Sequence, residues 1–258
     1  MAIVLAVTDH DTVGAGDETE AACREAGIAF VSGIEITAVR DGVDVHVLGY
    51  FIDRHSTRLD TFLTEQRVRR LDRVREMIAK LAAHGIALDA DEILRPAIDD
   101  PRRSAGRPWI ARALVAAGHV TTTKDAFDRW LGRGRPAFVP RRAALAAEVF
   151  ERIHDVGGIA SVAHPGLLAR DPWLREFIDA GADAIEVYHT EHDSSATRRY
   201  REMARQFGVA VTGGSDFHGD EAHGAKAPGG VALPPDEFDQ LTRLAAIRAT
   251  ASGRPTSS

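Results

Sequence analysis

Two hydrophobic periods alternate along the chain. Short apolar, β-branched runs bounded by glycine or polar residues fall at 3–8, 29–37, 43–50, 158–163, 184–188 and 209–212. Each reads as a strand. Between many of them the spacing of apolar residues turns helical, at 17–26, 143–156, 171–180, 194–207 and 235–250. Strand–helix alternation over this length predicts an α/β fold on a parallel sheet or barrel. The middle departs from it. From Thr57 to about Arg142 the pattern is nearly all helical, with Leu71, Val74, Ile78 and Leu81 three to four apart and breaks at Pro96, Pro101 and Pro108. Residues 1–56 and 143–251 are therefore expected to form the barrel domain, 57–142 a helical insertion subdomain, and 252–258 a disordered tail.

Composition narrows the class. The 258 residues are 44% hydrophobic and 27% charged, which suits a soluble protein with a full core. A formal net charge of −6 argues against a general nucleic-acid coat and against a stable DNA partner. No apolar run approaches the roughly 18 residues that span a bilayer, so no membrane partner is expected. One cysteine, Cys23, excludes an internal disulfide and suits a reducing cytoplasm. In its helical context it reads as a buried small hydrophobe. The arginines of 67–75 are mixed with Glu65, Asp72 and Glu76 and read as a solvated, self-paired helix face rather than an RNA-contacting patch.

The chemistry lies at strand ends. The first run delivers Asp9, His10 and Asp11; the second carries Glu35 and the third His46. The later runs give His164 in "VAHPG", His189 in "EVYHTEH", and Asp216 with His218 in "GGSDFHGD". A lone strand-end histidine is commonly structural, but here every strand supplies an imidazole or carboxylate. Gathering so many ionisable groups is costly unless a cation compensates them. Imidazole with carboxylate suits Zn, Mn or Fe, so a multinuclear metal site is expected. Glu35 and His46, on successive strands, could share a metal. Period-2 alternation at Asp216-Phe217-His218 predicts both polar groups on one side with Phe217 packed, and Pro165 is expected to hold His164 extended.

"TDHDT", "GIEIT…VHVLGY", "AHPG" and "GSDFHG", in this order and with a helical insertion, resemble the PHP (polymerase and histidinol phosphatase) superfamily. The likeness is greatest to its small bacterial branch of 3',5'-nucleoside bisphosphate phosphatases and 5'-3' exoribonucleases. The resemblance implies a distorted (β/α)7 barrel with two or three divalent metal ions (Mn, Zn or Fe). It makes His10, Glu35, His46, His164, Asp216 and His218 the ligands. Glu35 would be the bridge, with His46 and His164 on one metal and His10 with His218 on another. Asp9 and Asp11 would support the ligands or cap a helix. The family pattern opens with a strand bearing Asp-Leu-His-x-His-Ser and a helix, which has no counterpart here. About one strand–helix unit, on the order of 30 residues, is expected to be absent from the sequence as given, through either a late-assigned start or a genuine truncation.

Clustered divalent metals imply hydrolysis by an activated water. No nucleophile elbow or phosphate-binding loop motif offers another route. Asp216, His218 and His189 are the catalytic candidates. Arg107 at a predicted helix start and Arg135 in a glycine-loosened loop are candidate phosphate contacts, with Ser104 a third; Trp109 reads as core. Tyr188 and His192 are expected to lie behind the ligands, while His84, His119, His154 and His223 read as uninvolved. The expected function is a metal-dependent phosphoesterase acting on small nucleotides or short RNA 5' ends. The alternatives are a histidinol-phosphate-type phosphatase, an amide-hydrolysing metalloenzyme, and a truncated metal- or nucleotide-binding pseudo-enzyme.

Overall fold

The computed structural model describes residues 3–218 and 228–251; the predicted tail and His223 lie outside them. Six strands form one sheet in sequence order: β1 (Val4–Val7), β2 (Ala29–Arg40), β3 (Val43–Tyr50), β4 (Ile159–Val162), β5 (Ala184–His189) and β6 (Ala210–Gly214). The sheet is mixed, which corrects the expectation of a parallel one. β1–β2, β4–β5 and β5–β6 pair in parallel, but β3 runs antiparallel to both neighbours. The cause is local. Asp41 and Gly42 link β2 to β3 with φ of 50° and 71°, the left-handed pair of a two-residue type I′ turn that "DG" favours. That signal stands in the sequence, and it outranks strand–helix alternation.

The edges of the sheet are β1 and β6. Even so, Nε2 of His10, just after β1, lies 3.3 Å from Nε2 of His218, just after β6. The sheet therefore curls into a half-barrel whose edges approach at the C-terminal ends of the parallel strands.

Alternation sorts the two faces. Ile34, Ile36 and Ala38 of β2, with Val45 and Val47 of β3, are buried against Val149, Phe150 and Ile153 of α6 (Ala146–Asp155). Burying each of the valine, isoleucine and phenylalanine side chains contributes about 1.5–3 kcal/mol. The opposite face carries Glu35, Thr37 and His46. Further helices flank the sheet: α1 (Gly16–Ala26), α7 (Pro165–Leu168), α8 (Asp171–Asp179), α9 (Ser194–Phe207) and α10 (Pro235–Ala251).

The helical stretch begins with α2 (Thr57–Ala83), 27 residues and about 40 Å long. Its first half packs Leu59, Phe62 and Leu63 into the sheet's core. Its second half packs Val74, Met77, Ile78 and Leu81 into a separate cluster. That cluster also takes Leu94 of α3 (Ala90–Asp99), Ile110 and Leu114 of α4 (Arg107–Ala116), and Leu131 after α5 (Thr123–Ala126). Among the described residues no helix is long and apolar enough to cross a membrane.

Candidate metal centre

Glu35 stands at the middle of an arc of imidazoles. Its Oε1 lies 2.7 Å from Nδ1 of His46 and 3.3 Å from Nε2 of His164, while Oε2 lies 3.6 Å from Nδ1 of His10. The two oxygens are thus divided between two sets of rings, and His10 leads on to His218. The arc continues past His164 to His189, ring centroids 5.4 Å apart. One ligand atom each from His10, Glu35 and His46 can be chosen so that all lie within 4.8 Å of one another. Nδ1 of His164 is buried without a hydrogen-bond partner, an arrangement folded proteins rarely leave uncompensated. The imidazole–carboxylate donor set around Glu35 fits a divalent metal ion.

The elements place these groups differently from the simple strand-end picture. Glu35 and His46 sit inside their strands. Because β3 is antiparallel, its early residue His46 reaches the same end of the sheet as His10. His10 itself extends the β1–β2 pairing by a single bridge to Glu35. In β5 the register advances two residues, Glu186 to Tyr188, against one in β6. This bulge reverses the alternation, so Glu186 and His189 both meet the cluster while Tyr188 packs against the outer core. His164 is not extended: its φ and ψ are 25° and 61°. Asp216 is left-handed as well, at φ 51°. Simple alternation therefore does not orient Asp216 and His218, and Phe217 between them is 42% exposed rather than packed.

Hydrogen bonds fix the ring tautomers. Nδ1 of His218 lies 2.8 Å from the Asp216 carbonyl, which can only accept, so the lone pair of the neutral ring falls on the Nε2 that meets His10. Nδ1 of His189 accepts from the Glu191 N–H at 3.1 Å. Its N–H is therefore on Nε2, 3.4 Å from Asp216 Oδ2. His192 uses both nitrogens, donating from Nδ1 to the Val187 carbonyl (2.9 Å) and accepting the Gly166 N–H (3.1 Å). Its ring lies behind that of His189, centroids 5.3 Å apart, whereas Tyr188, grouped with it from the sequence, packs on the outer core instead.

Burial opposes ionisation of Glu35. Hydrogen bonds from His164 and His46, and the charges of His46 and His10, outweigh it and hold the carboxyl well below the usual carboxylate range. Glu186, which sequence reasoning missed, is the opposite case. Burial pushes its carboxyl up to about 7, against the pull of His164 and His189, and it accepts the His164 backbone N–H at 2.7 Å. The signal for it was a lone carboxylate in an otherwise apolar strand, "AIEVYH".

The remaining candidates divide. Asp11 accepts from the Thr37 N–H at 2.9 Å and pairs with Arg70. Asp9 contributes its carbonyl to the Glu35 N–H. Neither caps a helix: α1 starts from Ala15 without a side-chain cap. Arg69 and Arg75 pair with Glu65 and Asp72 as expected of a solvated face, but Arg70 and Arg73 turn inward, which corrects that reading for those two. Arg107 begins α4 and interacts with Asp44 and Arg141. Arg135 is exposed in its loop, and no contact joins it to the cluster. Ser104 lines a different pocket, with Pro96, Arg103, Trp109 and Arg112. Trp109 packs against the insertion's core. Among the histidines read as uninvolved, His84 stacks near Trp130 and His154 pairs with Asp183. Cys23 is buried.

The chain is 34% identical over 226 residues to a 5'-3' exoribonuclease of Haemophilus influenzae, covering 83% of this chain and 79% of the relative. It is 33% identical over 237 residues to a 3',5'-nucleoside bisphosphate phosphatase of Chromobacterium violaceum, covering 90% and 82%. A solved structure assigned as a metal-dependent phosphoesterase, from Bifidobacterium adolescentis, superposes with a TM-score of 0.75 at 29% identity, covering 94% of this chain and 85% of that one. An amidohydrolase structure from Chromobacterium violaceum, with bound sulfate and no metal, gives 0.76 at 31%, covering 95% and 86%. No protein-family model matches the chain.

Proposed function

This chain belongs to the family of bacterial 5'-3' exoribonucleases and 3',5'-nucleoside bisphosphate phosphatases, and from that premise we propose that it hydrolyses phosphate esters of small nucleotides or of short RNA 5' ends. The observation that carries the proposal is the division of the two Glu35 oxygens between His46 with His164 and His10 with His218. A carboxylate so placed can bridge two cations. His10, Glu35, His46, His164, Asp216 and His218 would hold two or three divalent ions of Mn, Zn or Fe.

Such ions, when bound, supply Lewis acidity and a water of lowered pKa. The chain's own groups do the rest. Glu35 stays ionised in its buried position because the imidazoles favour its charge. The Asp216 carbonyl fixes the His218 tautomer, which suits that ring to ligation rather than to proton donation. His189, with its proton on Nε2 toward Asp216, is left as the imidazole best placed to orient Asp216 and pass a proton toward a leaving oxygen. Arg107 would contact a substrate phosphate; Arg135 and Ser104 lie away from the cluster and have no support from its geometry.

The test is hydrolysis of adenosine 3',5'-bisphosphate and of a 5'-phosphorylated short RNA by the Mn-loaded protein, with metal counted per chain. Release of inorganic phosphate or mononucleotides, with more than one metal per chain, is the expected result. Loaded protein that cleaves a dipeptide or lactone but no phosphate ester would overturn the reading.

A further inference from the structure

Glu186 of β5 is a carboxylate buried to 4% exposure, and among the described residues it forms no ion pair. Its side chain makes a single hydrogen bond there, Oε2 accepting the backbone N–H of His164 at 2.7 Å. Thr212 stands opposite it in the β5–β6 register but places its hydroxyl 2.8 Å from that of Ser161 instead. Burying a carboxylate is costly, and an apolar residue would fill the same place without that cost. The group is therefore explained by the N–H it meets.

His164 needs such a partner. The chain leaves β4 there with φ 25° and ψ 61°, although a residue before proline favours extended backbone. Hydrogen bonds bracket this turn. The Ala163 N–H donates to the His46 carbonyl at 3.1 Å, and the Leu167 N–H donates to the His164 carbonyl at 3.0 Å. Both are backbone contacts. The acceptor on the His164 N–H alone comes from a side chain. The directions of N–H and Cβ are linked through φ, so an acceptor fixed on this N–H decides where the imidazole points. It points Nε2 to 3.3 Å from Glu35 Oε1 and 3.2 Å from His46 Nδ1.

We propose that Glu186 is a positioning residue of the metal centre: it holds the His164 backbone in its left-handed turn and so aims the imidazole at Glu35 and His46. The inference rests on the metal-dependent reading above. It adds a residue outside the six ligand candidates and gives it no contact with metal or substrate.

The role requires an acceptor of full reach rather than a charge, and two conservative variants separate these. Glu186→Gln keeps the length and an oxygen that can accept the N–H. Glu186→Asp keeps the carboxylate but is one methylene shorter. The experiment is calorimetric titration of the metal-free full chain with Mn, beside urea unfolding of the same protein. Glu186→Asp should weaken Mn affinity about 10–100-fold, as loss of ligand-orienting partners does, while Glu186→Gln stays within about threefold of wild type. Thr212→Val removes the Ser161 bond from the same buried layer; it should lower the urea midpoint and leave Mn affinity unchanged. In a His164→Ala background, Glu186→Asp should add less than about a twofold loss, because residues acting through one another are not additive.

Wild-type affinity in Glu186→Asp with a loss in Glu186→Gln would make charge the operative feature and overturn the proposal. Equal losses in Glu186→Asp and Thr212→Val would also overturn it, as would an undiminished loss in the His164→Ala background. If Glu186→Asp does not fold by circular dichroism, hydrogen exchange of the metal-free wild type decides: the His164 amide must be protected, and free exchange refutes the contact. Wild type that binds no Mn would sink this proposal together with the metal centre. Wild type that binds Mn but hydrolyses no phosphate ester would sink the phosphoesterase reading alone.

Discussion

Glu35 Oε1 and His46 Nδ1 are 2.7 Å apart, although the strand register pairs Glu35 with Leu48 and His46 with Thr37. They are diagonal neighbours across an antiparallel pair, a separation long polar side chains can bridge. Replacing the carboxylate leaves the fold's outer core untouched but removes the one group that meets three imidazoles. Glu35→Gln should lower metal content by at least one ion per chain and phosphoesterase activity by 10²-fold or more, since even groups that only support ligands cost about 10–100-fold. Elemental analysis of the purified variant beside steady-state rates checks this; a variant with full metal and near-normal rate would remove Glu35 from the centre.

The contact depends on a turn that ends four residues before His46. Gly42 sits at φ 71°, where a side chain costs about 1–2 kcal/mol. Gly42→Val should therefore lower the urea midpoint with an unchanged m-value, and should weaken metal binding because it loosens the strand that carries His46. Gly27, also left-handed at φ 68° but at the end of α1, provides the comparison. Gly27→Val should cost similar stability and leave metal affinity alone. Equal metal loss in both variants would mean that general destabilisation, not the hairpin, explains it.

The six strands were legible because each is a short β-rich run between breakers, and the ligand candidates because imidazoles and carboxylates are conspicuous at their ends. The direction of β3 was not read, since alternation of strands and helices outweighed Asp41-Gly42. Glu186 and the reorientation of His189 were missed for a different reason. A one-residue bulge in β5 leaves no mark on composition, and it decides which side chains face inward. Arg70 and Arg73 were hidden among charges of both signs on α2; only packing shows that they leave the solvated face that Arg69 and Arg75 keep. Backbone at His164 and Asp216 defied the local rules. Left-handed φ at non-glycine residues costs energy, and it persists where surrounding structure fixes a functional geometry.

Gly166 in "AHPG" has a steric reason. A Cβ there would lie 2.7 Å from Cδ2 of His192, whose ring is held at both nitrogens by Val187 and by Gly166 itself. The ring has no slack to move. Gly166→Ala should cost about 1–3 kcal/mol, as overpacked sites do, seen as a lower melting temperature. It should also disturb His164 two residues earlier, lowering metal affinity more than a surface Gly→Ala change such as Gly229→Ala. A melting temperature equal to wild type would show that His192 can yield.

Alongside Glu35 in the metal centre, Asp183, away from it, is expected to contribute acid sensitivity. Its carboxylate meets His154 Nε2 at 2.7 Å and accepts the Ala160 N–H at 2.9 Å and a bond from Arg248, tying α6, β4 and α10 together. Burial works against the charge, but the hydrogen bonds from His154 and Ala160 and the charges of His154 and Arg248 prevail and hold the carboxyl below its usual range. The sign follows from linkage. A depressed folded-state pKa stabilises the fold fully above the unfolded value, near 3.9, and the contribution is lost as pH falls from there through the folded value. At pH 7, Asp183→Asn should lose about 1–3 kcal/mol, the cost of leaving buried partners unsatisfied. Below about pH 4 the gap between variant and wild type should narrow, because protonation removes the same charge from the wild type. Urea unfolding of metal-free protein at pH 7 and pH 3 measures both gaps. A gap of constant size would assign the acid loss to other carboxylates, leaving Asp183 a packing contact alone.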